Sequence, residues 1–197
     1  MRHKFLTSAA GAAVAAGLLA GSAGAAPYHG NAPVKQSEQV NVTQMRLTPS
    51  SAKLASCMPG ARVNITVKST TEQLGFDKFK VRARHLPPNR DYTVFLLETA
   101  GPPFGAAEYI GDITTDKHGN ANNEFRAIVD EAFASTVVNG QRVRVDLNQV
   151  GMWFADPADD DFCLGPEGLP KVTPFDGDNE AGTQVFNSAN TQPLPAP

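Results

Sequence analysis

Period-two alternation of apolar and polar residues recurs along the chain and constrains its fold more than any other feature. Residues 63–67, 79–83 and 143–147 each alternate in this way. Because successive side chains of a strand point to opposite faces, these segments fit strands with one buried face. Residues 92–97 are apolar at nearly every position, which predicts a central strand covered on both faces.

Turn signals between the apolar segments favour short antiparallel connections. Residues 109–115 and 122–129 flank Asp116-Lys117-His118-Gly119-Asn120, in which Gly119 supplies the positive φ of a hairpin turn. Residues 40–47 and 149–155 complete a set of about eight strands. The fold prediction is all-β: an antiparallel immunoglobulin-like β-sandwich of seven or eight strands.

One segment departs from the strand pattern. In residues 130–138, Asp130 can act as an N-cap, and Phe133 and Val137 are four residues apart. This spacing places both side chains on one face of a helix, so we expect one or two helical turns with Phe133 and Val137 facing inward.

The first residues have the features of a secretory leader. Arg2, His3 and Lys4 precede an apolar stretch at residues 5–20, and Ala23-Gly24-Ala25 fits a cleavage site. The apolar stretch is shorter than the roughly 20 residues that span a bilayer. We therefore expect an exported protein without a transmembrane segment after cleavage. The predicted organisation is a signal peptide at 1–25, a flexible lead-in at 26–39, a single β-sandwich domain at 40–186 and a disordered tail at 187–197.

The chain contains two cysteines, Cys57 and Cys163, 106 positions apart. In an exported protein two cysteines most simply form a disulfide, here a structural one. A catalytic thiol or a metal ligand would call for a neighbouring His or a Cys-x-x-Cys motif, and the sequence has neither beside these residues.

A resemblance covers about residues 76–133. Leu86-Pro87-Pro88-Asn89 leads into Tyr92-Thr93-Val94-Phe95-Leu96, and Gly111-Asp112-Ile113-Thr114-Thr115-Asp116 is followed by Gly119-Asn120. In these motifs the chain resembles uncharacterised secreted actinobacterial β-sandwich proteins. The resemblance implies the fold and a secreted location, and it implies no function, since that of such proteins is unassigned.

Composition and charge exclude several function classes. The formal net charge is −3, with 17 Lys and Arg against 20 Asp and Glu, so no overall positive field favours nucleic acid. Three histidines after the leader (His29, His85 and His118) and the lack of a Gly-x-Ser-x-Gly motif disfavour a His-dependent hydrolase. We expect a monomer.

The charge pattern is more informative than the total. Lys78, Lys80, Arg82 and Arg84 fall on one face of a predicted strand, whereas residues 156–180 contain eight acids and one base. Three arrangements are compatible with this pattern: a solvated strand face, a face covered by the acidic segment, and an open face that binds an anionic cell-envelope polymer or protein.

Two further sites are candidates. Phe104, in the apolar loop at 101–107, either contacts a ligand or tucks into the sandwich as a plug. Oxygen ligands for calcium are available at Asp159, Asp161, Asp176 and Asp178, although their spacing does not match a calcium-binding loop and a solvated acidic run is the simpler interpretation. No other cofactor is expected.

These observations lead to one main functional hypothesis. We expect an exported, non-catalytic binding or structural protein of the extracellular space or cell envelope. The alternatives are a secreted carboxylate-dependent hydrolase, for which Glu108 and Asp112 are available, and a calcium-stabilised adhesion-type module.

Overall fold

The alternating segments form strands in the computed structural model, which describes residues 40–165 and 181–194. Within these residues the structure has ten strands and only short helical segments. The strands are β1 (Val42–Pro49), β2 (Arg62–Lys68), β3 (Asp77–Arg84), β4 (Asp91–Leu97), β5 (Ala107–Thr114), β6 (Ala121–Ala127), β7 (Phe133–Val138), β8 (Gln141–Asp146), β9 (Gln149–Phe154) and β10 (Gln184–Asn187). The helical segments are α1 (Ala52–Cys57), α2 (Thr71–Leu74), a 3₁₀ turn (Pro157–Asp160) and α3 (Asp161–Leu164).

All strand pairs are antiparallel, and eight strands follow the order β5-β4-β9-β10-β1-β2-β3-β6. Strand β1 changes partner along its length: residues 42–47 pair with β2, whereas Thr48 and Pro49 pair with β10. The two outer strands meet, since a Cβ added at Gly111 of β5 would overlap the Phe125 ring of β6. The all-β antiparallel prediction is confirmed, in a sandwich- or barrel-like form.

The core lies between the two halves of this folded sheet. Val63, Ile65 and Phe79, from the inward face of β2 and β3, are at most 1% exposed. Strand β4 is covered on both faces: Val94 joins this central core, whereas Phe95 packs in a second apolar cluster on the other face of the sheet. The prediction of a central strand at residues 92–97 is therefore confirmed.

The helical turns predicted at residues 130–138 are wrong. This segment contains β7, and its Phe133 and Val137 are 56% and 61% exposed rather than inward-facing. The following Asn139 and Gly140 have φ values of 52° and 79°. Two consecutive positive φ angles define the hairpin turn that joins β7 to β8. Residues 133–138 therefore pair with β8 as a strand, although the spacing of Phe133 and Val137 also fits a helix.

The predicted disordered tail is also incorrect for residues 187–194. Strand β10 ends at Asn187, and the chain then stays attached to β9 through Ser188, whose hydroxyl accepts the Val150 N–H at 2.9 Å. Leu194 is 2% exposed, and its N–H donates to the Asn148 carbonyl at 2.8 Å. Apolar burial of this kind orders a segment that looks polar and Pro-rich in the sequence.

The predicted disulfide between Cys57 and Cys163 is present, with 5.8 Å between the Cα atoms. It joins α1 to α3. The described residues belong to the compact unit Gln39–Pro197. The predicted signal peptide and lead-in lie outside the described residues. Among the residues that the structure describes, no helix is both long enough and apolar enough to cross a membrane.

Candidate anion-binding face

The predicted basic strand is β3, and its neighbours extend the positive surface. In β3, inward Phe79, Val81 and Ala83 alternate with outward cations, because the strand has one face on the core. Residues directly opposite one another in a sheet share a face, so the strand register identifies the rest of this surface. We call the following set the basic face: Arg46 of β1, Arg62 and Lys68 of β2, Lys78, Lys80, Arg82 and Arg84 of β3, and Arg126 of β6.

The cations of the basic face lie opposite or diagonal to one another. Arg62 faces Arg84 across the β2–β3 pair, and Lys78 lies between Lys68 of β2 and Arg126 of β6. The Cα atoms of residues two apart on a strand are about 6.8 Å apart, and the backbones of neighbouring strands are about 4.8 Å apart. In these four strands the outward face has one carboxylate, Glu124, opposite Lys80. The face is therefore a two-dimensional array of positive charge.

The ion pairs of the described residues lie elsewhere. They are Arg90–Asp159 and Arg144–Asp146, and neither includes a member of the basic face. Arg126 instead lies over the Phe76 ring, 5.0 Å from its centroid. Within residues 40–165 and 181–194, the basic face consequently has no carboxylate within salt-bridge distance.

The structure describes residues 156–165 of the acidic segment at 156–180, and the carboxylates of Asp156, Asp159 and Asp160 make their contacts away from the basic face. Asp156 caps the 3₁₀ turn through the Ala158 N–H, Asp159 pairs with Arg90, and Asp160 accepts a hydrogen bond from the Thr183 hydroxyl. Glu167, Asp176, Asp178 and Glu180 lie outside the described residues.

Two hollows lie at the end of the sheet where β2 begins and β3 ends. One, of about 470 Å³, lies beside the disulfide and includes Arg62 and His85. The other, of about 430 Å³, includes Arg82, Arg84 and Asp116. Backbone hydrogen bonds from Asn120 and His118 lower the pKa of Asp116, which keeps this carboxyl ionised.

The described lining of these hollows contains a single carboxylate, Asp116. Hydrolysis of a glycosidic bond by the usual route uses two carboxyl groups that flank the bond. Glu108 and Asp112, the carboxylates available to the hydrolase alternative, are on β5 outside both hollows. Burial raises the pKa of Glu108, and Asp112 accepts a hydrogen bond from the Tyr109 hydroxyl at 3.0 Å.

Phe104 is a plug rather than part of an exposed ligand surface. Its side chain is 6% exposed, and its ring lies edge-on to Trp153 with centroids 5.0 Å apart. The loop is held in place by Glu98, which accepts the Ala106 N–H at 3.0 Å. Phe104 therefore covers Trp153 and belongs to the second apolar cluster, on the outward side of the β4–β9 pair.

The four predicted calcium ligands are not brought together by the described structure. Asp159 pairs with Arg90, and Asp161 is the first residue of α3. Asp176 and Asp178 lie outside the described residues. In residues 40–165 and 181–194, no group of three or more His, Cys, Asp or Glu side chains could hold a metal ion.

The β3 cations were predicted from the sequence, whereas four other members of the basic face were missed: Arg46, Arg62, Lys68 and Arg126. Alternation within β2 already placed Arg62 and Lys68 on the polar side of their strand. The strand order, which places the polar sides of these four strands on one surface, was not known from the sequence. Arg142 and Arg144 belong instead to the separate β7–β8 sheet.

Comparison with known proteins finds nothing similar: no protein-family model, no curated protein and no solved structure matches this chain.

Proposed function

We propose that this protein is an exported, non-catalytic binding module whose basic face holds an anionic polymer of the cell envelope. The observation that carries the proposal is the alignment of eight cations on one outward face of four strands, with one carboxylate among them. An extended chain of phosphodiester groups, as in teichoic acids, presents repeated negative charge to such an array.

The strength of single contacts favours a polymer over a small anion. An exposed charge pair contributes about 0–1 kcal/mol, so one phosphate on this open face would bind weakly. Eight contacts of about 0.5 kcal/mol sum to about 4 kcal/mol, which corresponds to a dissociation constant near 1 mM for one stretch of polymer. Repeated stretches on one chain raise the effective affinity, and added salt lowers it.

The outward face disfavours single-stranded nucleic acid as the polymer. Such ligands are held by aromatic side chains on which bases stack, together with cations. Within the four strands, the outward positions between the cations are Val42, Gln44, Asn64, Thr66 and Asn122, none of them aromatic. Phe76, whose ring lies beside the face, is half-buried and already has the Arg126 guanidinium over it.

Two observations support export. A leader-like segment precedes the domain in the sequence, and the domain contains a disulfide of the kind that persists in oxidising surroundings. The envelope location follows from the ligand class, because phosphate-rich polymers surround the cells of many bacteria.

Binding of purified glycerol-phosphate teichoic acid to the oxidised protein tests the proposal. Arg82→Gln/Arg84→Gln removes two exposed charges from the basic face, and Lys117→Gln/Arg142→Gln removes two exposed charges elsewhere. We expect titration calorimetry at low salt to show at least about threefold weaker binding for the first variant alone, and binding of the wild type to fall with salt.

Equal binding by the two variants, at unchanged melting temperatures, would contradict the proposal, as would the absence of any binding at low salt. Equal affinity for a single-stranded oligonucleotide would contradict the ligand class.

A further inference from the structure

The β7–β8 hairpin is a sheet of its own. Its strands pair with each other and, within the described residues, with no other strand. A two-stranded hairpin is marginally stable in water, so its base has to be anchored. Ala132 and Leu147 supply the anchor: they are 7% and 2% exposed, and the Leu147 N–H donates to the Ala132 carbonyl at 2.9 Å.

The far end of the hairpin exposes apolar side chains on both of its faces. Val137, Val138 and Val143 are 61%, 50% and 42% exposed, and we call these three the valine tip. The register puts Val137 on one face and Val138 and Val143 on the other. A flat protein surface would cover one face only, whereas a fluid apolar medium covers both.

The cations of the hairpin are directed away from the valine tip. Arg142 pairs in register with Val137, yet its Nη1 donates to the Ser135 hydroxyl at 2.7 Å, about 7 Å closer to the base of the hairpin. Arg144 reaches in the same direction, bonding Asp146 at 2.8 Å and lying 4.4 Å from the centroid of the Phe133 ring. Beyond the valines lie only the turn residues Asn139 and Gly140 and the paired Gln141, none of them charged. Arg142 lies one layer behind the valines, followed by Arg144 with its partner Asp146.

The hairpin leaves the domain beside one end of the basic face. Strand β6 ends there, with Arg126 paired to Lys78. The link from β6 to β7 is held at the same end, because Asp77 of β3 accepts the N–H groups of Val129 and Asp130 at 2.8 and 3.0 Å. Additional cations thus lie near the base of an apolar projection.

We propose that the β7–β8 hairpin inserts its valine tip into the surface of an anionic lipid bilayer, with Arg142 and Arg144 at the level of the phosphate groups. Charge complementarity and apolar side chains on both faces of the tip select this occupant over a protein surface. Insertion stops at about 5–10 Å, because the free edges of β7 and β8 carry backbone N–H and C=O groups that the hydrocarbon region does not solvate. The inference goes beyond polymer binding and does not depend on it.

Co-sedimentation with phosphatidylcholine vesicles, with and without phosphatidylglycerol, tests insertion. We expect the oxidised protein to bind the phosphatidylglycerol vesicles, and Val137→Ser/Val138→Ser to weaken that binding about tenfold or more. Both positions are exposed, so the serine variant should keep its melting temperature and its affinity for soluble teichoic acid.

Fluorescence locates the tip directly. A tryptophan introduced as Val138→Trp should shift its emission to the blue and be quenched by lipids brominated in the acyl chain. Lys117→Trp, at an exposed position of the β5–β6 turn, is the matched control and should show neither effect.

Three outcomes would overturn the proposal: undiminished vesicle binding by the serine variant, no blue shift of the tip tryptophan on vesicles, and a wild-type dimer that the serine variant converts to a monomer. The first two would leave the basic face as the sole contact with anionic surfaces, and the third would make a second copy the occupant. Polymer binding without vesicles is measured separately, so failure of one proposal is distinguishable from failure of the other.

Discussion

At the scale of single residues, Asp77 accepts more hydrogen bonds than any other carboxylate in the described structure. It is fully buried at the start of β3. Its Oδ1 accepts the N–H groups of Thr70 and Thr71 at 2.7 and 2.9 Å and the Thr71 hydroxyl at 2.7 Å. Its Oδ2 accepts the N–H groups of Val129 and Asp130. One side chain thereby fixes both α2 and the link that leads to the hairpin.

Asp77→Asn should lower the free energy of unfolding by about 3 kcal/mol at neutral pH, measured by urea denaturation. An amide nitrogen cannot accept, so the donors facing the substituted side of the carboxylate would be left without a partner, at about 1–3 kcal/mol for each buried group. Asp91→Asn is the control, because Asp91 also begins a strand but is exposed. Equal losses in the two variants would contradict the role assigned to Asp77.

The same residue makes stability depend on pH. Burial raises the pKa of Asp77, but the hydrogen bonds from Val129, Asp130, Thr71 and Thr70 outweigh it and hold the pKa below its usual value. A lowered folded-state pKa stabilises the fold fully above the unfolded-state pKa, and this contribution is lost as the pH falls through the folded-state pKa. Between neutral pH and about pH 3, the free energy of unfolding should therefore fall less for Asp77→Asn than for the wild type. Parallel curves would count against this account.

At the scale of elements, the two hairpin turns differ in their surroundings. Gly119, between β5 and β6, has a φ of 72°, and Gly140, between β7 and β8, has a φ of 79°. The Gly119 turn lies against the chain before β4, since the Leu86 N–H donates to the Gly119 carbonyl at 3.1 Å. Gly140 has no neighbour within 4 Å of where a Cβ would lie. One turn is packed and the other projects.

Alanine substitutions at these two glycines distinguish the cost of a positive φ from the cost of a steric overlap with a neighbouring segment. Gly140→Ala should cost about 1 kcal/mol, the usual penalty of a side chain in the left-handed region. Gly119→Ala should cost more than about 3 kcal/mol, because its Cβ would overlap the Leu86 carbonyl oxygen, a backbone atom that cannot move freely. The measurement is urea denaturation, and similar losses in both variants would show that the β5–β6 turn is loosely packed.

At the scale of the whole molecule, the disulfide closes nearly all of the sheet into one loop. Cys57 follows β1, Cys163 follows β9, and the segment between these two residues, 106 positions apart, contains every strand from β2 to β9. Lys53 of α1 strengthens the same junction by donating to the Leu164 carbonyl at 2.9 Å. The cross-link therefore stabilises the fold mainly because it restricts the conformations of the unfolded chain.

Replacing both cysteines, as Cys57→Ser/Cys163→Ser, should lower the free energy of unfolding by up to about 4–5 kcal/mol, the loop-entropy value for a loop of this size. Chemical reduction of the wild type should reproduce the loss in urea denaturation. Teichoic acid binding should persist at temperatures where the variant stays folded, because no cysteine belongs to the basic face. A loss below about 1 kcal/mol would mean that the unfolded chain is already compact.

The all-β class, the central strand and the disulfide were predictable, because each depends on a local or pairwise signal. A strand over β8 was predicted, but β7 was missed although Asn139-Gly140 is a strong turn signal, since the spacing of Phe133 and Val137 also fits a helix. Strand β10 was missed because its four residues are too short for a period to show.

The sequence by itself determined which residues are inward and which outward along β2 and β3, because that choice follows from a period of two within a few residues. The same period at residues 143–147 predicted a buried face that β8 does not have, since Val143 is 42% exposed. Lys78, Lys80, Arg82 and Arg84 were assigned correctly to one face of β3. Only the tertiary structure decided that Arg46, Arg62, Lys68 and Arg126 join them, that Phe104 covers Trp153, and that no neighbour among the described residues buries the valine tip. Strand order and register bring together residues far apart in the chain, and no short-range pattern carries that information.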